Sequence, residues 1–168
     1  MPTPPADHWP PGLPRHLALP ATNVYANLAA SVARHPEKTF TVFYDTALSY
    51  VAFQREAELL AGYLQHSPQW ALAFYAILRA NAVVVPVNPM NRTEELRHCV
   101  DDSGARVAFV AQDLLAQAQP LLAEAGADGL HHVVVATYSD HLRAPTELRV
   151  PEFVSAPRAA LDDPRLHA

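Results

Sequence analysis

The amino-acid sequence predicts an α/β fold: a layered subdomain with a parallel sheet, flanking helices, a proline-rich N-terminal arm and an irregular C-terminal tail. Three observations predict it. Short β-rich runs, Val83–Val87, Arg106–Val110 and His132–Ala136, alternate with longer stretches of helical periodicity. Parallel strands need crossovers, and the helices between these runs supply them. The 168 residues are 50% hydrophobic and only 17% charged, a globular composition with enough chain for a sizeable core. The 16 prolines cluster over residues 2–20 and again from Pro145, which divides the chain into an arm (1–21), a folded subdomain (22–137) and a tail (138–168).

Each element follows from local chemistry. Thr22 to His35 reads as a helix, with Thr22 as N-cap, Val24, Leu28 and Val32 on one stripe, and Pro36 as the stop. Thr39–Tyr44 (TFTVFY) is β-branched and aromatic, so it reads as a strand. Asp45-Thr46-Ala47 then turns into a short strand at Leu48-Ser49. Tyr50 to Gln65 is helical, with Phe53, Ala57, Leu60 and Leu64 on one face. Ser67-Pro68 starts another helix, serine capping and proline at the first helical position, where its missing N–H costs nothing. That helix is expected to turn Trp70, Phe74, Ile77 and Leu78 inward and to end near Asn81.

Strand Val83–Val87 is followed by the polar turn Asn88–Arg92 and by helix Thr93–Ser103, closed by Gly104 in a left-handed conformation. Strand Arg106–Val110 leads to helix Asp113–Ala125, kinked at Pro120, and then to strand His132–Ala136. Beyond Tyr138 no periodicity survives, apart from a short run at Glu147–Val150 that would suit a strand.

Composition excludes several functions. The net charge of −5 gives no basic face for nucleic acid or anionic lipid. One cysteine, Cys99, precludes an internal disulfide and fits a reducing compartment. No apolar run approaches the roughly 20 residues a membrane-spanning helix needs, and the N-terminus lacks the charged and apolar regions of a secretory signal. A cytoplasmic protein is expected.

Side chains that could carry chemistry have simpler roles. His131 and His132 are adjacent on a strand and point to opposite faces; His98 and Cys99 diverge by about 100° on a helix. Neither pair has the spacing of a zinc site. Asp101 and Asp102 fit a solvated helix end, and Glu94 and Glu95 fit the first turn of a helix, where the dipole favours them. Arg92 would hold its turn through Glu95 or another acid, or would meet a phosphate or carboxylate. Ser139, Asp140 and His141 are neighbours, but no G-x-S-x-G elbow accompanies them. Trp70, Phe74 and Tyr75 at helical spacing read as core rather than as the lining of a ligand pocket. No catalytic, cofactor-binding or metal-binding residue is therefore assigned.

Four segments carry a resemblance to a known family. They are NVYANLAASVARHPEKTF (23–40), LSYVAFQREAELLAGYLQ (48–65), SPQWALAFYAILRANAVVVPVNPMNRTEEL (67–96) and SGARVAFV (103–110). In this order they resemble the N-terminal subdomain of the AMP-forming acyl-CoA ligases, of the fatty-acid or aromatic-acid branch. Pro86–Arg92 with Glu95-Leu96 is the most specific part. Asn81 stands where the family usually has glycine. The resemblance implies ATP, magnesium and CoA as cofactors of a full-length member. A carboxylate would attack the α-phosphate of ATP to give an acyl-adenylate, and the CoA thiol would then displace AMP.

Two departures limit what the resemblance implies for this chain. Between the helix ending near Gln65 and the start at Ser67 the family carries a turn and an apolar strand, and here Leu64-Gln65-His66 runs straight into Ser67. Each buried aliphatic left without a partner is worth roughly 1.5–3 kcal/mol, against a total margin of about 5–15 kcal/mol. Second, a phosphate loop needs converging backbone N–H groups and a lysine, whereas this chain has five glycines and one lysine, Lys38. The chain alone is therefore expected to be an inactive N-terminal fragment. The alternatives are an interaction or assembly module, with a homo-oligomer or a complementing domain held through exposed apolar surface, and a deletion product with no function.

Overall fold

The computed structural model describes residues 12, 14, 16, 19, 21–57, 67–122 and 129–168. Most of the proline-rich arm and the expected helical positions 58–65 lie outside them. The fold is mixed α/β. An α-helix, α1 (Tyr25–Arg34), precedes a hairpin of β1 (Thr39–Phe43) and β2 (Thr46–Ser49), and helices α2 (Tyr50–Ala57) and α3 (Pro68–Arg79) follow. Then come α4 (Thr93–Ser103), β3 (Val107–Ala111), a short α5 (Leu115–Ala118), β4 (His132–Ala136), a one-turn α6 (Glu152–Ser155) and β5 (Leu166–His167). β3, β4 and β5 form a three-stranded parallel sheet in that spatial order. No helix among the described residues is long and apolar enough to cross a membrane.

The first half of the chain packs around Leu28, Phe53 and Leu72, with Phe40, Tyr50 and Tyr75 against them. Phe40 and Phe53 lie 4.1 Å apart between ring centroids, and Tyr75 meets Phe53 edge-on at 5.8 Å. Helix α1 starts later than its threonine suggested. Its N-cap is Val24, with no side-chain cap, and Thr22 lies exposed before it. Asn23 does the polar work instead, donating from Nδ2 to the carbonyl of Leu78 at 2.6 Å, which ties the helix entry to the end of α3. The hairpin turn is also one residue tighter than expected. Tyr44 (φ 42°) and Asp45 (φ 65°) form it, and Phe43 pairs with Thr46. Two left-handed residues match the twist of a two-residue hairpin, and Thr146 secures Asp45 with a hydroxyl-to-carboxylate bond of 2.6 Å.

Ser67 caps α3, its Oγ accepting from the Trp70 N–H at 3.3 Å. The inward face of this helix differs from expectation: Pro68, Gln69, Leu72 and Ala73 are buried, while Trp70, Phe74, Ile77 and Leu78 are half-buried. The helix is apolar all round and touches more than one cluster, so its periodicity does not single out a face. Its end does match: Asn81 takes φ 56°.

The second half packs one face of the sheet under α4. Leu96 and Val100 meet Val110, Ala118, Leu121, Leu130, Val133 and Val135. Gly104 closes α4 with φ 66°. Over the described part of the helix expected at 113–125 the chain is instead a broken series of tight turns around α5, with Pro120 inside the last, Gln119–Leu121; positions 123–125 lie outside the described residues. The tail is better ordered than its lack of periodicity suggested. Glu147–Val150 is not a strand, but Leu166–His167 pairs with Val133 and Val134 and extends the sheet.

One expectation fails outright. Val83–Val87 is not a strand. Among the described residues none of its backbone groups hydrogen-bonds to another segment. A segment becomes a strand only when a neighbour accepts and donates along it, and among the described residues no strand pairs with this one.

Candidate functional site

The polar corner after Val87 is rigid. Asn88 accepts from the Met90 N–H through Oδ1 at 3.0 Å and from the Asn91 N–H through its carbonyl at 2.9 Å. Glu95 reaches back to the Arg92 N–H at 2.7 Å, closing the N-terminus of α4. Gln117 accepts from both the N–H and the hydroxyl of Thr93, at 3.1 and 2.9 Å. Arg92 thus holds its turn through its backbone, and its guanidinium is exposed.

Beside this corner lies an apolar groove of about 90 Å³. It is lined by Val83, Val85 and Val87, by Val107, Ala108 and Phe109 of β3, by Ile77 of α3 and by Leu96, Cys99 and Val100 of α4. Side chains of successive strand residues point to opposite faces. Three consecutive β3 residues bordering one groove therefore mean that the groove runs along the strand's edge. Among the described residues β3 is the outermost strand of its sheet.

A polar cluster ties the tail to the first half. Glu56 accepts from Arg143 Nη1 at 2.8 Å and contacts His141 Nε2 at 2.9 Å. Burial opposes ionisation of Glu56, but Arg143 and His141 outweigh it and hold its carboxyl below the ordinary value. His141 is buried, and its Nδ1 has no hydrogen-bond partner among the described residues; neither has Oε1 of the buried Gln69, whose Nε2 donates to the carbonyls of Thr137 and Tyr138. Thr46 accepts the N–H groups of Arg143 and Ala144, both at 2.9 Å. Nothing local in the sequence signals this cluster, because Glu56 and His141 stand 85 positions apart.

The other candidates scatter. Ser139 donates to the carbonyl of Ala156 at 2.7 Å, Asp140 pairs with Arg158, and His141 turns to Glu56, so these neighbours form three separate ties. His132 meets His167 of β5, Nδ1 to Nε2 at 3.0 Å, rather than His131. Asp101, Asp102, His98 and Glu94 are exposed. No group of three or more potential metal ligands gathers among the described residues. Trp70 stacks on Phe74 at 5.6 Å, and Tyr75 belongs to the aromatic core.

The fold has counterparts among known proteins. A family model described as "AMP-binding enzyme" matches residues 28–165. The chain belongs to that family. This AMP-binding family member is 30% identical over 122 residues to a long-chain-fatty-acid–CoA ligase of Bacillus subtilis, a match covering 64% of this chain and 22% of that protein. Among solved structures it resembles the anthranilate CoA ligase AuaEII, solved with anthranoyl-AMP, at a TM-score of 0.62 and 22% identity, over 79% of this chain and 30% of that one. It also resembles the N-terminal domain of FACL13 from Mycobacterium tuberculosis, at 0.59 and 18%, over 86% and 41%. These structural likenesses speak to the fold.

The chain spans about a fifth of the length of the curated relatives it matches. In the Bacillus match, 64% of 168 residues is about 108, so roughly 14 of the 122 aligned positions have no counterpart here.

Proposed function

We propose that this chain is the N-terminal piece of an ATP-dependent, AMP-forming carboxylic-acid–CoA ligase of the fatty-acid or aromatic-acid branch, and that by itself it supplies scaffold rather than chemistry. The observation that carries the reading is the family match over residues 28–165 combined with a residue set unsuited to phosphate transfer. A nucleotide's phosphates need converging backbone N–H groups and a cation. Lys38 sits exposed in the turn between α1 and β1, with no described glycine beside it. Gly104 is spent on closing α4. These residues do not fit ATP and magnesium, so no step of adenylation is assigned to them.

The test is acid-dependent ATP–pyrophosphate exchange by the purified 168-residue chain, with magnesium and a long-chain fatty acid or an aryl acid. No exchange above a protein-free control is expected. Exchange that depends on the acid would overturn the reading. A second reading, a non-catalytic assembly module, is favoured by one observation: the apolar groove lined by Val83, Val85, Val87 and β3, the outermost described strand of its sheet.

A further inference from the structure

We propose that His132 and His167 form a two-histidine site for a divalent transition-metal ion, copper(II) held most tightly, and that the ion staples β5 to β4. The proposal is independent of the ligase reading and of the assembly reading.

The sheet register brings the two rings together. β4 and β5 are parallel, with Val133 opposite Leu166 and Val134 opposite His167. Residues two apart on a strand share a face, so His132 shares its face with Val134 and with His167. Val133 and Val135 take the other face, in the core with Leu96 and Val100 of α4. The imidazoles therefore meet on the side of the sheet turned away from that core, and both residues are exposed. His132 Nδ1 lies 3.0 Å from His167 Nε2, with the ring centroids 5.1 Å apart. Spacing in the sequence hides this pair, since its members stand 35 positions apart.

The separation suits an ion. An imidazole nitrogen binds such a metal at about 2.0–2.1 Å. Two nitrogens on one ion, at a square-planar or tetrahedral angle, then lie about 2.8–3.4 Å apart. A neutral pair sharing one hydrogen bond at 3.0 Å is thus already arranged for chelation, and little ordering remains to oppose binding. When the ion enters, the proton between the rings leaves for the outer nitrogen of the ring that carried it, and both inner nitrogens offer lone pairs. Among the described residues no third histidine, cysteine or carboxylate joins the pair, so water completes the coordination. Two imidazoles and water suit copper(II) and nickel(II) and do not suit the hard magnesium ion. Arg165, just before β5, is paired with Asp163 at 2.9 and 2.6 Å, which balances its charge. The net charge of −5 also favours a cation at the surface.

The place of the pair gives the ion its effect. β5 is two residues long, and the Val133 N–H donates to the Arg165 carbonyl at its entry, at 2.9 Å. A strand this short holds few ladder bonds. An ion across positions 132 and 167 closes the chain between them into a loop and gives β5 a second hold on β4.

The test titrates copper(II) into the full chain at neutral pH, followed by calorimetry against glycine as a competing chelator and by electron paramagnetic resonance. One equivalent should bind first, with the signature of two coordinated imidazole nitrogens. His132→Gln and His167→Gln, both at exposed positions, should each weaken that equivalent at least about tenfold. The double variant should bind no more weakly than either single one by more than about twofold, because a chelate is lost with its first member. His98→Gln, an exposed histidine of α4, should leave the equivalent unchanged. Nickel(II) and zinc(II) should bind more weakly than copper(II), and magnesium should not bind. With copper(II) free at about ten times its dissociation constant, hydrogen exchange of the Val133 amide should slow about tenfold in the wild type and stay unchanged in His167→Gln. No distinct first equivalent, or one that survives in both single variants, overturns the proposal and leaves an ordinary hydrogen bond between two rings. A bound equivalent that leaves Val133 exchange unaltered overturns the staple.

Discussion

His132–Ala136 reads HVVVA and Val83–Val87 reads VVVPV, yet the two regions end in opposite states. The first is a strand with neighbours on both sides, and its Val133 and Val135 are buried. The second belongs to no strand, makes no backbone pairing among the described residues and is largely exposed. Both are valine-rich, so β-branched preference alone does not separate them, although Pro86 removes one ladder donor from the second. The neighbour does. β4 lies between β3 and β5, whereas residues 83–87 face a groove. Strand character is a property of a pair of segments rather than of one.

The same substitution in both regions tests that contrast with the largest effect. Val133→Asp places a carboxylate at a fully buried position between Leu96, Val110 and Leu130. It should cost more than about 4 kcal/mol and unfold much of the population. Val83→Asp changes a side chain already in solvent and should stay within about 0.5 kcal/mol. Urea denaturation followed by circular dichroism reads both. Equal losses would show that residues 83–87 are as buried as β4.

This contrast also marks what was legible in the sequence. Helix Thr93–Ser103 and its Gly104 closure matched residue for residue, because capping and periodicity are local. His132–Ala136 matched because its neighbours exist. Residues 83–87 were misread because the missing partner is a non-local fact, although the junction at Gln65–Ser67 held the clue to it. Thr22 looked like a cap but stayed outside α1, because Asn23 anchors to Leu78 from the far side of the fold. The Glu56–His141–Arg143 cluster was invisible for the same reason. The assignment of no catalytic residue remains an expectation, for the exchange assay to test.

The tail offers a third kind of region: no periodicity, yet firmly held, and held by side chains. Arg143 and His141 bind Glu56, Arg158 binds Asp140, and Gln112 bridges to Pro157 and Ala159 at 2.9 and 2.8 Å. If such ties replace a hydrophobic stripe, Glu56→Gln should cost about 1–3 kcal/mol by leaving charged donors partly unsatisfied. It should also change the acid response. The native carboxyl of Glu56 titrates below its ordinary 4.5. Its contribution is therefore complete above that value and is lost as pH falls through the native value. Wild type should lose more stability than Glu56→Gln between about pH 7 and about pH 3, read from urea midpoints. Parallel losses would remove Glu56 from the tie.

The smallest effect concerns two left-handed residues that end the helices flanking the groove. Asn81 follows α3 at φ 56°, and Gly104 follows α4 at φ 66°. An added Cβ at Gly104 would meet nothing within 4 Å, so any penalty there comes from the backbone alone. Gly104→Ala should cost about 1 kcal/mol, the usual cost of forcing a Cβ into this conformation. Asn81→Gly should shift stability by only a few tenths of a kcal/mol, because asparagine already visits that region readily. Thermal melts of the two variants check both numbers. A costless Gly104→Ala would mean that α4 ends without the left-handed turn, and the crossover from residues 83–87 to β3 would then need a different path.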